Sequence, residues 1–344
     1  MVDSSAKKRT VLIVSPALAQ ANNGNWQTAS RWSRMLHPDF KTAIATQWDG
    51  QDADVLLALH ARRSAQAVAH WAQAKGSRGL AVVLTGTDLY RDIQSDTSAQ
   101  RSLDVAARLV VLQERAPLAL PMHLRAKTTV LFQSAPARVE LVKTSRHLRA
   151  LMVGHLRDEK DPLTYVRAAR QLSTRRDIQL DHIGDALDPA LGHACAAASA
   201  ELPRYRWLGG LPHAVTRVRI QRAHVLVHSS NMEGGAHVIL EAVQSGTPVL
   251  ASRIDGNLGM LGADYAGYFA LGDDVALSAL LQRCRDDRDF LPRLHQQCLA
   301  RSALFDPDRE RRLLRQLVNA LMADASAPDS PLTNFHGKPN EPSH

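Results

Sequence analysis

The chain has 344 residues, of which 45% are hydrophobic and 22% charged, a composition typical of a soluble globular protein with room for two domains. Its three cysteines include no CxxC pair, which indicates neither a disulfide framework nor a zinc site and fits a reducing cytoplasm. The net charge of +8 comes from scattered residues, so an anionic small substrate explains it as well as nucleic acid does. No apolar run approaches the roughly 18 residues that span a bilayer.

In the first part of the chain, apolar runs rich in branched residues alternate with helical patterns. They predict strands at residues 10–16, 41–47, 54–59, 80–85, 108–112 and 128–133, and helices at 26–36 and 62–75. This alternation is typical of a parallel, doubly wound sheet, which binds its ligands beyond the carboxyl ends of the strands. Three polar segments lie at those ends: Asn22–Asn25, His60–Arg63 and Thr85–Tyr90.

A mixed, basic segment at residues 138–149 separates this series from a second one. The second series predicts strands at 150–155, 178–184, 205–209, 223–229 and 248–252, followed by helices within 277–304 and at 309–323. The tail is rich in Ser, Pro, Asp and Asn, which predicts disorder. We therefore expect an α/β fold with two Rossmann-like, doubly wound domains, at 1–145 and 146–305, then a helix at 306–323 and a disordered tail at 324–344.

The most informative stretch is Glu233-Gly-Gly-Ala-His-Val-Ile-Leu-Glu241, which continues into Ala242 and Gly246-Thr-Pro-Val249. It resembles the E-x7-E signature of retaining nucleotide-sugar glycosyltransferases with the GT-B fold. Gly235 stands one place before the second glycine of that signature, where this chain has Ala236. The alternative from spacing alone is an ordinary strand-helix-strand unit with two surface glutamates.

The resemblance implies a fold in which two domains face a central cleft and the last helix crosses back to the first domain. Gly154–Pro162 is similar to the G-R-x4-K segment of the family, with Lys160 matching and His155 in place of the arginine. Either His155 or Arg157 then supplies the missing charge, or the donor binds more weakly. The expected donor-binding residues are His155, Arg157, Lys160, Gly184, Glu233, Gly234, Gly235, Ala236, His237 and Glu241.

A metal is not expected at this site. Asp52-Ala-Asp54 has the letters of a metal-binding D-x-D motif, but it precedes a strand of the first domain and is interpreted as a cap. Lys160 and backbone amides would then stabilise the leaving diphosphate, since a helix N-terminus and a cation both favour negative charge.

The polar segments of the first domain more closely resemble those of the selenosugar synthases of selenoneine biosynthesis. That resemblance implies transfer of N-acetylglucosamine from UDP-N-acetylglucosamine to selenophosphate, with no cofactor, no nucleic acid and no stable membrane association. The expected acceptor-binding residues are Asn23, Gly24, Asn25, Thr28, Arg62, Arg63, Thr85, Gly86 and Thr87.

Two further residues are candidates for catalysis beside Lys160. Asp88 positions a sugar hydroxyl, orients a neighbouring group or caps a helix, and His60 either assists loss of phosphate or packs in the core. The nearest alternative function is a GT-B transferase that acts on a hydroxyl of a small molecule or lipid. A nucleic-acid-binding protein is a more distant one, because no known binding motif is present.

Overall fold

The structure is a computed structural model that describes residues 8–18 and 24–326, with side chains as far as residue 324. Its first half forms a six-stranded parallel sheet in the order β2-β1-β3-β4-β5-β6. The strands are β1 Thr10–Val14, β2 Lys41–Ala45, β3 Val55–Leu59, β4 Leu80–Val83, β5 Arg108–Val111 and β6 Thr128–Val130. Strands β1 and β3 are buried along their whole length, because helices cover both faces of the sheet.

The second half forms another six-stranded parallel sheet, in the order β12-β11-β10-β7-β8-β9. Its strands are β7 Leu148–Val153, β8 Ile178–Ile183, β9 Tyr205–Trp207, β10 Val225–His228, β11 Val249–Ser252 and β12 Tyr268–Phe269. The two parallel sheets confirm the predicted fold class. Strand β12 was not predicted, because a two-residue strand is too short to show a hydrophobic period.

Helices flank both sheets. Those of the first half are α1 Gly24–Leu36, α2 Ala65–Lys75, α3 Ile93–Ser95, α4 Thr97–Val105 and α5 Met122–Arg125. Those of the second half are α6 Pro162–Gln171, α7 Pro189–Glu201, α8 His213–Arg222, α9 His237–Val243, α10 Asp255–Leu261, α11 Asp274–Asp286, α12 Phe290–Leu299 and α13 Pro307–Ser326.

The last helix, α13, lies against the first sheet. Leu314 and Leu321 are buried in one hydrophobic cluster with Ile13 and Trp32. The fully buried carboxylate of Glu310 accepts a hydrogen bond from Trp32 Nε1 at 2.6 Å. The helix includes the first three residues of the segment 324–344 that was predicted to be a disordered tail. The rest of that segment lies outside the described residues.

Candidate active site

The strand orders place two crevices where chemistry is expected. In the first sheet, β2 lies on one side of β1 and the later strands lie on the other side, so the direction of winding reverses at the β1–β3 boundary. In the second sheet the direction of winding reverses at the β7–β10 boundary. In doubly wound sheets ligands bind at such switch points, beyond the carboxyl ends of the strands. The loop after β7 carries Lys160, the loop after β10 carries Glu233, and the loop after β3 carries His60. Three of the predicted site residues therefore stand at switch points.

Lys160 is held in place by the loop that follows β10. It ends a short helical turn, Asp158–Lys160. Ser229 Oγ donates a hydrogen bond to the Lys160 carbonyl at 3.0 Å, and the Asn231 amide donates to the Glu159 carbonyl at 3.0 Å. The position of the lysine is thus set by a neighbouring strand end as well as by its own loop.

The Lys160 amine pairs with the carboxylate of Glu233. His228, at the end of β10, lies on the same carboxylate, with Nε2 3.1 Å from Glu233 Oε1. Burial opposes ionisation of Glu233, but Lys160 and His228 outweigh it, so the pKa of this carboxyl lies well below its usual range. The loop therefore holds an ionised carboxylate and a nearby cation at the end of the second sheet.

Glu241 belongs to a different cluster of side chains. His213 Nε2 lies 2.6 Å from Glu241 Oε1, with His237 Nε2 at 3.5 Å and Arg217 Nη1 at 3.6 Å. Burial raises the pKa of Glu241, while the hydrogen bond from His213 and the nearby cations lower it by more. The two glutamates of the motif thus pair with different side chains within the described part of the chain.

The helix between the two glutamates begins later than predicted. Helix α9 starts at His237, with Ala236 as its N-cap, so Gly234 and Gly235 precede the helix rather than open it. Burial and the nearby Arg31 of α1 lower the pKa of His237 to about 3, so the ring is neutral at neutral pH. Arg31 and His237 place the start of α9 beside the first half of the molecule.

The glycines instead let the two halves of the molecule meet backbone to backbone. A β-carbon on Gly234 would lie 2.4 Å from the carbonyl carbon of Thr85, and one on Gly86 would lie 2.9 Å from the Gly234 nitrogen. A β-carbon on Gly235 would lie 2.6 Å from Leu112 Cβ. No side chain fits in these spaces. The structure therefore brings part of the predicted acceptor segment directly against the predicted donor segment.

Ion pairs cross the same boundary. Arg91 Nη1 lies 3.3 Å from Glu159 Oε1, and Arg115 Nε lies 2.7 Å from Asp255 Oδ1. Both pairs are partly exposed, so each contributes little stability alone. Together with the glycine contacts they hold the loops after β4 and β5 against the loops after β7, β10 and β11.

Asp88 has a structural role in this arrangement. Its side chain is fully buried, with Oδ1 accepting hydrogen bonds from the amides of Thr85 and Gly86 and Oδ2 accepting one from the amide of Ala61, all at 2.8–2.9 Å. Asp88 is not the N-cap of the following helical turn, since Thr87 stands there, and its role toward a sugar hydroxyl stays a prediction. Asp88 ties the loop after β4 to the loop after β3.

His60 is buried and has a left-handed backbone, with φ at +74°. Its Nδ1 accepts a hydrogen bond from the Arg63 amide at 3.3 Å, and its Nε2 lies 3.1 Å from Thr87 Oγ1. Burial lowers the pKa of His60 more than Asp88 raises it. The ring is thus neutral, and a left-handed non-glycine residue of this kind is often found at functional sites.

The remaining acceptor candidates of the Asn-Gly segment lie in or next to α1 in the sequence. Thr28 is buried, donates a hydrogen bond to the Gly24 carbonyl at 2.8 Å and accepts one from Gln133, so its hydroxyl is engaged within the protein. Gly24 and Asn25 form the first turn of α1 rather than a loop, and Asn23 lies outside the described residues. No acidic residue occupies the first turn of α1.

The two arginines after β3 differ in their contacts. Arg62 Nε pairs with Asp92 Oδ2 at 2.9 Å, so part of its charge is neutralised. Arg63 is exposed and has no ion pair among the described residues. Arg63 is therefore the more available cation of the two.

On the donor side, His155 and Arg157 both lie in the Lys160 loop and are about half exposed. His155 Nδ1 accepts a hydrogen bond from the Asp185 amide at 3.1 Å, which fixes the imidazole across the next loop. Gly184 lies under this loop, since a β-carbon there would meet the Gly154 carbonyl oxygen at 1.9 Å. These residues shape the crevice beside Lys160.

Sequence reasoning missed four polar side chains near these clusters, namely Arg31, His213, Arg217 and His228. The Glu233–His228 contact joins residues across a loop, and the Glu241–His213 contact joins two helices, so neither has a spacing that a sequence pattern reveals.

Within the described residues, no group of three or more His, Cys, Asp or Glu is arranged to hold a metal ion. None of the helices that the structure describes is both long and apolar enough to cross a membrane.

With this geometry in hand, the chain was compared with known proteins. Residues 135–296 match the family model described as glycosyl transferases group 1. The second half of the chain is therefore similar to a group 1 glycosyltransferase domain. The match contains the Lys160 loop and both motif glutamates.

Solved structures extend the likeness to both halves. A sucrose-phosphate synthase from Thermosynechococcus elongatus is 17% identical, with a TM-score of 0.74 over 92% of this chain and 100% of that one. HepE from Anabaena, solved with UDP and glucose, is 13% identical, with a TM-score of 0.71 over 91% and 100%. The pneumococcal O-GlcNAc transferase GtfA, solved with UDP and GlcNAc, is 18% identical, with a TM-score of 0.60 over 78% of this chain and 57% of that one. The GT-B fold predicted for the whole chain is confirmed.

Proposed function

We propose that this protein transfers N-acetylglucosamine from UDP-N-acetylglucosamine to selenophosphate, in the manner of a selenosugar synthase of selenoneine biosynthesis. A selenium lone pair of selenophosphate forms the new carbon–selenium bond at the anomeric carbon, and the bond from that carbon to the UDP oxygen breaks. The products are a sugar selenophosphate and UDP. The observation that carries the proposal is the contact between the Thr85–Gly86 segment and Gly234, beside the Lys160–Glu233 pair.

The donor half of the proposal is supported by the chemistry of the loop after β7. Transfer from a UDP-sugar builds negative charge on the departing diphosphate, and a fixed cation lowers the energy of that charge. Lys160 supplies the cation, and Glu233 holds its amine at the end of the second sheet. In this mechanism the diphosphate shares the amine with Glu233, so no metal is required.

The choice of donor is supported by two of the similar structures. HepE was solved with UDP and glucose, and GtfA with UDP and GlcNAc. Both have the same fold as this chain, and the family signature from Glu233 to Glu241 is present in its second half. We therefore propose that UDP is the nucleotide and that Glu241 binds its ribose.

The acceptor half is supported by the contacts of Asp88 and His60, the two acid–base candidates of the first crevice. Transfer to a hydroxyl is assisted by a group that removes its proton. Both acceptor-side candidates for that task are engaged, since Asp88 accepts three backbone hydrogen bonds and His60 Nδ1 accepts one from Arg63. Selenophosphate is already an anion and needs no such base. The exposed cation of Arg63 suits a small anion.

The proposal places the enzyme in the cytoplasm, where its three buried, free cysteines stay reduced. The nearest alternative is transfer from the same donor to a hydroxyl of a small molecule or lipid. The alternative predicts an acceptor crevice with a free base, which the contacts of Asp88 and His60 disfavour.

The test is an anaerobic incubation of the purified full chain with UDP-N-acetylglucosamine and selenophosphate, followed by mass spectrometry. We expect a selenium-bearing hexosamine, recognised by the selenium isotope pattern, together with one UDP for each product. Boiled protein serves as the blank, and a panel of hydroxyl acceptors is incubated in parallel. Product formed only with hydroxyl acceptors would favour the alternative and overturn the assignment of selenophosphate.

A further inference from the structure

A cationic pocket lies at the opposite end of the second sheet from the Lys160 loop. Its volume is about 530 Å³, within the range of about 300–1,000 Å³ found for small-molecule sites. The lining comes from the segment before β7, from the start of β7 and from the turn between α8 and β10. Because β7 has six residues, the pocket lies roughly 20 Å from the strand end that carries the Lys160 loop. It is therefore a separate feature from the candidate active site.

The lining of this pocket is strongly basic. Among its described residues it has no Asp or Glu, and six of its side chains are basic: Lys143, Arg146, His147, Arg149, Arg222 and His224. Arg146 and Arg222 are exposed and make no ion pair within the part of the chain that the structure describes. The exposed charges of Arg146 and Arg222, with Lys143 and Arg149 beside them, create a positive potential that attracts anions.

Two of these cations are partly desolvated. The Nε atom of Arg149 is buried and has no hydrogen-bond partner among the described residues, while its Nη2 lies 3.4 Å from His147 Nε2. Burial lowers the pKa of Lys143 to about 8, although Glu140 raises it. The Lys143 amine donates to the Gly246 carbonyl at 3.3 Å, whereas the buried Arg149 Nε has no such partner among the described residues. Withdrawing a cation from water without a partner is costly, and a bound anion would offset that cost.

The pocket is also structurally fixed. His224 Nδ1 accepts a hydrogen bond from the Arg149 amide at 2.9 Å, and its Nε2 donates to the Thr144 carbonyl at 2.8 Å. Arg285 Nη1 donates to the Ser145 carbonyl at 2.9 Å. These bonds tie the segment before β7 to the sheet, so the cations are held around the space rather than on a free loop.

We propose that this pocket binds a multivalent phosphate anion. Arginine and lysine side chains recognise phosphate oxygens through charge-assisted hydrogen bonds. The ligand is either a free diphosphate-bearing small molecule or the headgroup of an anionic lipid, because both present the same chemistry. The lipid source is included because Val142 is fully exposed and Leu141 partly exposed at the rim. The proposal does not depend on the transfer reaction proposed above.

The test uses calorimetric titration of the full chain with inorganic pyrophosphate at low ionic strength. In the double variant R146Q/R222Q, which removes two exposed charges, we expect the dissociation constant to rise about tenfold or more. The matched control R288Q/R293Q removes two exposed arginines elsewhere and should change it less than about twofold. Lys160→Ala separates the pocket from the cleft, since binding at the pocket persists in that variant.

A second arm distinguishes the two sources of phosphate. The same variants are sedimented with vesicles of phosphatidylcholine alone and with added phosphatidylglycerol. Weaker binding of R146Q/R222Q to pyrophosphate supports a free ligand, and weaker binding to the anionic vesicles alone supports a lipid headgroup. The proposal is overturned if R146Q/R222Q binds both probes as the control does, or if Lys160→Ala alone abolishes binding to both.

Discussion

Replacing Lys160 by alanine tests the donor half of the proposed mechanism. The lysine side chain is 16% exposed and pairs with Glu233, whose side chain is 10% exposed. Removing one preorganised stabiliser of developing charge commonly lowers turnover by roughly 10²–10³, or about 3–4 kcal/mol of transition-state stabilisation. We expect Lys160→Ala to lose at least that factor in UDP release from UDP-N-acetylglucosamine with selenophosphate.

The same change also removes a partner of a buried carboxylate, so its structural effect must be separated from its chemical one. Breaking such a pair destabilises a protein by about 3–5 kcal/mol when both groups are fully buried. Because Lys160 and Glu233 keep some exposure, we expect a loss of stability at the lower end of that range. In the double variant Lys160→Ala with Glu233→Gln, no unpaired charge is left. We expect the double variant to recover thermal stability but not turnover.

The assay is the initial rate of UDP release at saturating donor, with the melting temperature measured on the same samples by circular dichroism. Arg170→Ala is the matched control, because Arg170 is an exposed cation on α6 that pairs with Glu201 at 2.9 Å. Its turnover should stay close to that of the unmodified protein. Near-normal turnover in folded Lys160→Ala would remove Lys160 from the mechanism and refute the reasoning.

Three further outcomes follow from the packing. Gly234→Ala should lower turnover at least about tenfold, because the added β-carbon would lie 2.4 Å from the Thr85 backbone and would push apart the loops after β4 and β10. Unchanged turnover in this variant would contradict the proposed role of the contact. Burial lowers the pKa of His182 to about 3, so the stability that the neutral ring contributes is present above pH 6.5 and is lost as the pH falls towards 3. In His182→Gln, urea unfolding at several pH values should show a smaller loss of stability over this pH range. Glu310→Ala should destabilise the chain by roughly 3–5 kcal/mol, because it leaves Arg31 without its buried partner; a change below about 1 kcal/mol in urea unfolding would refute the role of this pair.

The fold was predictable because its signals are local. Buried parallel strands such as Val55–Leu59 are continuous apolar runs, and the sequence between them carries helical periods. The position of Lys160 was predictable for the same reason, since a loop after a strand end is where a doubly wound sheet binds its ligands. The pairing of Lys160 with Glu233 required only that β7 and β10 be neighbours.

The parts that sequence reasoning missed depend on contacts between distant segments. Gly234 and Gly235 resembled a helix start, but their small size instead serves the approach of Thr85 and Leu112 from the other half of the chain. Asp88 resembled a polar residue at a strand end, yet three backbone amides enclose it. Such roles follow from tertiary packing, which no period or spacing within one segment records.

The central claim is that Lys160 and the loop after β10 hold the diphosphate of a UDP-sugar against the first half of the molecule. The most direct measurement is a crystal structure of the full chain with bound UDP. We predict the β-phosphate within hydrogen-bond distance of Lys160 Nζ, next to the backbone of residues 234–236, and the ribose at Glu241. A diphosphate bound away from Lys160, with the Thr85–Gly86 segment outside the site, would contradict the claim.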